Sequence, residues 1–195
     1  MATKKSKADE NKDDKKSGYK FDEKFIEQRK VFLWGAVNGK SAEKICNQLL
    51  YLEEEAPGKE ITFFINSPGG VVTDGLLMMD VMNMITSPVR TVCMGMAASM
   101  GSILLAAGEK GKREIWPNAR VMIHQPSVGG IQGQATDIEI SAQQLLLIKQ
   151  KSAHILADNC GKKYEDIMKD FDRDYWMDAK QALKYGIVDK ISKKI

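Results

Sequence analysis

Two histidines are the only side chains in this chain that could serve as an imidazole base. A serine or thiol nucleophile that needs such a base must therefore use His124 or His154. His154 lies inside a long helical pattern, which is typical of a histidine without a chemical role. His124 closes the apolar run 121–123, and Pro126 keeps the chain that follows extended. We therefore expect His124 at the carboxyl end of a strand, where side chains reach clefts.

Ser99 is the candidate nucleophile. It lies in the sequence GMAASMG (residues 95–101), directly after a predicted strand that ends at Met94. Small neighbours let the chain turn sharply and let a substrate backbone approach. The helix that we expect next would leave amides unpaired at its N-terminus, where they favour an oxyanion. A helix-capping serine has the same surroundings, so this motif alone does not establish chemistry.

The turn NSPGG, residues 66–70, is the third segment that could take part in a reaction. Paired glycines at a strand end bring bare backbone close to a ligand, and the amide of Gly70 could point at a carbonyl oxygen. A plain β-turn has the same composition. The spacing of a phosphate-binding loop is absent.

A carboxylate that orients the imidazole cannot be found by elimination among 26 acidic residues. Asp172 and Asp174 are equal candidates, because Phe171, Tyr175 and Trp176 surround them. A carboxylate held in dry surroundings orients an imidazole better than one in bulk water. Composition does not separate the two.

Composition excludes several classes of protein. The 29 basic and 26 acidic residues give a net charge of +3, which is too balanced for a nucleic-acid-binding face. No apolar run approaches the roughly 20 residues that span a membrane, and no signal peptide is recognisable. The three cysteines, Cys46, Cys93 and Cys160, lack metal-ligand spacing. We expect reduced cysteines in a cytoplasmic protein with no metal site, no nucleic-acid partner and no membrane association.

The elements that must position these residues alternate between strand and helix. Residues 1–20 mix lysines with acids and have little to bury, so we expect a disordered tail followed by a single domain over residues 21–195. Nearly continuous apolar strands between helices predict an α/β fold. The predicted strands cover residues 31–34, 61–65, 89–94, 113–116, 120–124 and 187–191. Asn38-Gly39 is predicted as the turn that closes the first strand, and Ser41 is predicted to cap the helix that follows. Further helices are predicted over residues 73–85, 97–107 and 135–159, and Asp178 starts a last helix that Gly186 ends.

Taken together, the ordered motifs resemble the ClpP family of self-compartmentalising serine peptidases. They are, in chain order, INSPGG (65–70), GMAASMGS (95–102), RVMIHQP (120–126), GQATDIEI (133–140), DRD (172–174) and ALKYGIVD (182–189). The resemblance implies a ClpP/crotonase-like fold of stacked β-β-α units with a protruding handle helix. It further implies self-assembly into two stacked heptameric rings around a proteolytic chamber.

By position, the resemblance implies roles for individual residues. Ser99 would be the nucleophile, His124 the base and Asp174 the third member of the triad. The backbone amides of Gly70 and Met100 would form the oxyanion hole. A strand near residues 127–131 would bind extended substrate, with the binding residues Val71, Ser127, Val128, Gly129, Gly130 and Ile131.

The resemblance also implies partners and a location. The chain would be a serine endopeptidase of the bacterial cytoplasm that hydrolyses unfolded polypeptides. It would need no cofactor of its own, because a separate AAA+ unfoldase of the ClpX, ClpA or ClpC type would consume the ATP.

Two departures from the family pattern leave alternatives open. The loop 125–131 is one residue longer than usual, and a lysine- and acid-rich tail replaces the usual apolar N-terminal segment. The chain could assemble with a second, more typical ClpP paralogue, or be a catalytically silent or partner-dependent ring subunit. A crotonase-type acyl-CoA enzyme also uses paired backbone amides, although it would not need the pair of serine and histidine.

Overall fold

A computed structural model of the chain describes residues 23–193. The expected disordered tail, residues 1–20, lies outside the described residues, so the division into a tail and one domain stays a prediction. Within the described part, helices and parallel strands alternate, and the predicted α/β class is confirmed.

The elements follow one another in a regular order. They are α1 (residues 23–27), β1 (Lys30–Trp34), α2 (Gly39–Glu55), β2 (Ile61–Ser67), α3 (Val72–Met84), β3 (Val89–Ala98), α4 (Met100–Ala106), β4 (Arg113–Ile115), β5 (Arg120–Ile123), α5 (Ala135–Cys160), α6 (Tyr164–Asp170), β6 (Tyr175–Met177), α7 (Ala179–Tyr185) and β7 (Lys190–Ile191).

The sheet forks along β3. Its main path has the order β1-β2-β3-β4-β7, and every pair on this path is parallel. The first half of β3 pairs with β4 through residues 91–93, whereas its second half pairs with β5 through residues 96–98. Strand β6 then adds to β5 in the antiparallel direction. The fork brings the carboxyl ends of β3 and β5 side by side.

A single hydrophobic core holds the sheet against its helices. The central strands contribute fully buried side chains such as Phe63 of β2 and Cys93 of β3, and α2 contributes Leu49. Burial of each large apolar side chain favours folding by roughly 1.5–3 kcal/mol. The ends of the central strands are therefore rigid supports for side chains in the turns that follow.

The predicted cap of α2 at Ser41 is wrong by three positions. Asn38 is the N-cap, and its side chain accepts a hydrogen bond from the amide of Ser41 at 3.0 Å. The hydroxyl of Ser41 in turn accepts one from the amide of Asn38 at 3.0 Å. This reciprocal capping box begins the helix at Gly39, so Asn38-Gly39 forms the start of a helix and not the predicted turn.

The largest boundary difference lies around the candidate nucleophile. Strand β3 continues to Ala98, beyond the predicted end at Met94, and α4 begins at Met100 instead of Ala97. Pairing with β5 keeps this small-residue stretch extended. Helix α6 and strand β6 were not predicted. The left-handed Gly161, with φ 64°, ends α5 as expected.

Helix α5 protrudes from the core, as a handle helix should. Its buried residues are Ser152, Ala153, Leu156 and Ala157, all in the second half of the helix. Residues 135–151 bury no side chain, and they include exposed apolar ones. No helix among residues 23–193 has both the length and the apolar character needed to cross a membrane.

Candidate active site

Ser99 occupies a sharp turn between β3 and α4. Its backbone has φ 52° and ψ −123°, and only one other non-glycine residue in the described chain, Arg29, has a positive φ. Such a conformation costs on the order of 1–3 kcal/mol and persists only where surrounding contacts enforce it. Here the amide of Ser99 donates a hydrogen bond to the carbonyl of Met122 at 2.9 Å. This turn presents the serine side chain at the carboxyl end of the sheet.

The glycine turn after β2 packs directly against this serine. A Cβ atom at Gly69, where φ is +91°, would lie 2.6 Å from the Cβ of Ser99 and 2.7 Å from the carbonyl oxygen of Ala98. The Gly69 amide donates to the hydroxyl of Ser67 at 3.1 Å. Sequence reasoning singled out Gly70 and missed Gly69, although both belong to the same glycine pair.

His124 lies between Ser99 and Asp174. The distance from His124 Nε2 to Ser99 Oγ is 2.9 Å, and the distance from Nδ1 to Asp174 Oδ1 is 3.0 Å. A proton on Nδ1 that is donated to the carboxylate leaves Nε2 free to accept one from the serine hydroxyl. The structure therefore brings the three predicted side chains into one continuous line of hydrogen bonds.

Strand register explains why Asp174 reaches the imidazole. The antiparallel ladder of β5 and β6 pairs Ile123 with Tyr175, so the next opposed pair along it is His124 and Asp174. Opposed residues in an antiparallel ladder project from the same face at close range. Strand β6, which the sequence did not reveal, is thus the element that positions the carboxylate.

Asp172, the equal candidate from sequence, has other contacts. Its carbonyl oxygen and its carboxylate accept hydrogen bonds from the side chain of Gln125, at 2.8 and 3.3 Å. The expected dry surroundings are also wrong, because the side chain of Asp174 is 61% exposed and Tyr175 and Trp176 are exposed, although Phe171 is buried. Register, and not burial, distinguishes the two carboxylates.

Two backbone amides beside the serine have no acceptor among the described residues. Met100 is the first residue of α4, so its N–H has no partner within the helix. The amide of Gly70 is likewise unpaired, since the bridge to Val37 uses the groups of Gly69 and Val71 instead. A Cβ at Gly70 would lie 2.1 Å from the carbonyl oxygen of Val37. Both amides are available as donors near the turn.

The expected substrate-binding strand is not formed in the single chain. Residues 124–134 are irregular, because no neighbouring strand of the described chain pairs with them. Ser127, Val128, Gly129 and Gly130 are exposed, and Ile131 is partly buried. Val71, at the N-cap of α3, is exposed as well. An open cleft of about 740 Å³ extends from His124 along Pro126 and Ser127.

The remaining candidate nucleophiles and bases lie in unreactive surroundings. His154 is exposed on α5 and stacks on Tyr164, with ring centroids 4.2 Å apart. Burial raises the pKa of Cys93 to about 12 and that of Cys160 to about 11, so neither is a thiolate near neutral pH. No cluster of three metal-ligating side chains occurs within residues 23–193.

Comparison with known protein families gives a match over most of the chain. The family model described as Clp protease covers residues 12–194. The matched segment contains the serine turn, the histidine strand end and the carboxylate strand described above.

Proposed function

The chain belongs to the Clp protease family, and on that premise we propose that it is a serine endopeptidase, the proteolytic subunit of an ATP-dependent Clp protease. It hydrolyses unfolded polypeptides to short peptides. The proposal rests on one observation, the line of hydrogen bonds from Ser99 Oγ through His124 to Asp174, at 2.9 and 3.0 Å. Crotonase-type acyl-CoA chemistry does not need this alignment.

Acylation follows from the arrangement. His124 Nε2 accepts the proton of Ser99 while Oγ attacks the scissile carbonyl carbon, and the carboxylate of Asp174 stabilises the imidazolium that forms. The carbonyl oxygen becomes an oxyanion, to which the amides of Gly70 and Met100 donate. The imidazolium then protonates the leaving amine, and the C–N bond breaks.

Deacylation repeats these steps with water as the nucleophile. His124 removes a proton from a water molecule that attacks the acyl ester on Ser99, and the carboxyl product leaves as the serine regains its proton. No metal or organic cofactor enters either half of the reaction. ATP serves a separate AAA+ unfoldase.

Substrate binding uses the irregular segment beside the cleft. An extended peptide aligned with residues 127–131 would supply the missing strand partner and pair with their backbone, which is β-augmentation. Val71, which directly follows the oxyanion-hole glycine Gly70, is exposed at the N-cap of α3, so it would contact a substrate side chain. This mode of binding reads the peptide backbone and therefore tolerates many sequences.

Assembly into two stacked heptameric rings gives the protruding half of α5 a partner. Ile138, Ile140, Leu146 and Leu147 are exposed along it in the single chain. Exposed apolar side chains on one projecting helix are typical of surfaces that are covered on association. A cytoplasmic location of the assembled enzyme belongs to the same proposal.

Hydrolysis by the purified, assembled chain tests the proposal. We expect cleavage of unfolded casein and of a fluorogenic peptide amide, with at least about a 10³-fold loss in Ser99→Ala and in His124→Ala. His154→Ala is the matched control, because His154 is exposed on α5, where its ring stacks on Tyr164. Equal cleavage by wild type and Ser99→Ala would refute the proposal.

A partner-dependent subunit is the alternative that the exposed carboxylate favours. The side chain of Asp174 is 61% exposed in the single chain, so a neighbouring subunit could be needed to hold it against the imidazole. In that case the homo-oligomer would be inactive, while rings mixed with a second ClpP paralogue would cleave peptides in a Ser99-dependent manner.

A further inference from the structure

The contact between His124 and Asp174 lies just beyond the end of a β-ladder. The last ladder pair is Ile123 with Tyr175, and no strand pairing continues past it. On the other side of the contact, the amide of Gln125 donates to the carbonyl of Phe171 at 2.7 Å. The segment that carries the imidazole and the segment that carries the carboxylate are thus hydrogen-bonded to each other on both sides of the contact.

The side chain of Gln125 adds to the bond that its backbone amide makes with Phe171. Its Nε2 donates to the carbonyl oxygen of Asp172 at 2.8 Å and is 3.3 Å from the carboxylate of the same residue. One glutamine therefore binds two consecutive carbonyls, those of Phe171 and Asp172, directly before the residues that lead to Asp174. None of these bonds is part of the proposed chemistry.

The side chain of Asp174 has little support of its own. Its side chain is 61% exposed, and the bond to His124 is its only hydrogen bond within the described chain. An exposed ion pair or hydrogen bond contributes little by itself to holding a geometry. The position of the carboxylate must come from the backbone, which the β5–β6 ladder holds from Tyr175 onward and the bonds to Gln125 hold at residues 171 and 172.

We propose that Gln125 is a positioning residue, which holds the segment 171–174 so that Asp174 stays within hydrogen-bond distance of His124. This inference rests on the proposed peptidase function. Among the described residues Gln125 forms no hydrogen bond with Ser99, Gly70 or Met100, and its proposed effect is exerted through Asp174.

Kinetics of a double-mutant cycle separate this role from a general structural one. Gln125→Met keeps the length of the side chain and removes its donor, and we expect kcat for a fluorogenic peptide amide to fall about tenfold with KM unchanged. In an Asp174→Asn background, Gln125→Met should lower kcat by less than about a factor of two. Gln28→Met is the matched control, since Gln28 is exposed and its side-chain oxygen accepts from Lys30 Nζ, far from the active site in sequence.

Two kinetic results would overturn the proposal. An unchanged kcat in Gln125→Met would show that the glutamine is dispensable. An equal fall in the wild-type and Asp174→Asn backgrounds would show that it acts independently of the carboxylate.

A structure of assembled Gln125→Met supplies a readout that does not depend on activity. We expect the distance from His124 Nδ1 to Asp174 Oδ1 to exceed about 3.5 Å, beyond hydrogen-bond reach. A distance that stays at 3.0 Å, as in the wild-type chain, overturns the positioning role. A wild-type enzyme without Ser99-dependent hydrolysis would instead refute the peptidase function, and the two failures are thereby distinguishable.

Discussion

Replacement of Gly69 by alanine should displace the serine turn. The added Cβ would lie 2.6 Å from the Cβ of Ser99 and 2.9 Å from the amide nitrogen of Met100. Carbon atoms in favourable contact are about 3.5–4.0 Å apart, so one of the two segments must move by about 1 Å. A misplacement of about 1 Å at a reacting group costs roughly 100-fold in rate. We expect acylation of Ser99 to slow by at least that factor.

Gly35→Ala is a closely matched control for this change. Gly35 has the same φ of +91°, but a Cβ there would meet no atom within 4 Å. Both variants carry the left-handed backbone penalty of roughly 1–2 kcal/mol. Only Gly69→Ala adds steric overlap, which costs roughly 1–3 kcal/mol more and brings its total to about 2–5 kcal/mol.

Denaturant unfolding measures the loss of stability in each glycine variant, and the rate of reaction with a fluorophosphonate measures the acylation of Ser99. Equal unfolding free energies in the two variants, together with unchanged acylation in Gly69→Ala, would refute the reasoning.

Two further predictions concern carboxylates. Asp174→Asn should lower kcat/KM for peptide hydrolysis by about 10³–10⁴-fold. Asp172→Asn keeps the backbone oxygen and one side-chain oxygen as acceptors for Gln125, so it should change kcat/KM by less than about threefold. Similar losses in both variants would contradict the register argument. Burial alone would raise the pKa of Glu114, but hydrogen bonds from Arg90 and two further side chains lower it from 4.5 to about 2. Its stabilisation, at most about 3 kcal/mol, is therefore present above pH 4.5 and lost as the pH falls through about 2. Unfolding free energies measured between about pH 6 and about pH 3 should fall less in Glu114→Gln than in wild type, and parallel curves would contradict this sign.

The sequence was sufficient to identify functional residues of a type that occurs only a few times in the chain. With only two histidines, the one at a strand end was identifiable, and His124 does lie directly after β5. Apolar runs likewise revealed most strands, because a sheet that is covered on both faces needs continuous apolar residues. The glycine at position 161 marked the end of α5 because a left-handed residue is needed there.

Features that depend on pairing were beyond the reach of local patterns. The three-residue strand β6 exists because β5 offers it an edge, and its register alone determines which aspartate faces His124. Similarly, β3 continues through Gly95 and Ala98 because β5 pairs with its second half, although small residues are poor strand formers. The turn at Ser99 therefore lies at the very end of a strand, which composition could not indicate.

Peptide mass spectrometry after treatment with a fluorophosphonate tests the central claim most directly. We expect a single adduct on Ser99 in the assembled chain, retained in His154→Ala and lost in His124→Ala. An adduct on another residue, or none on Ser99 in either the homo-oligomer or a mixed ring, would contradict the account.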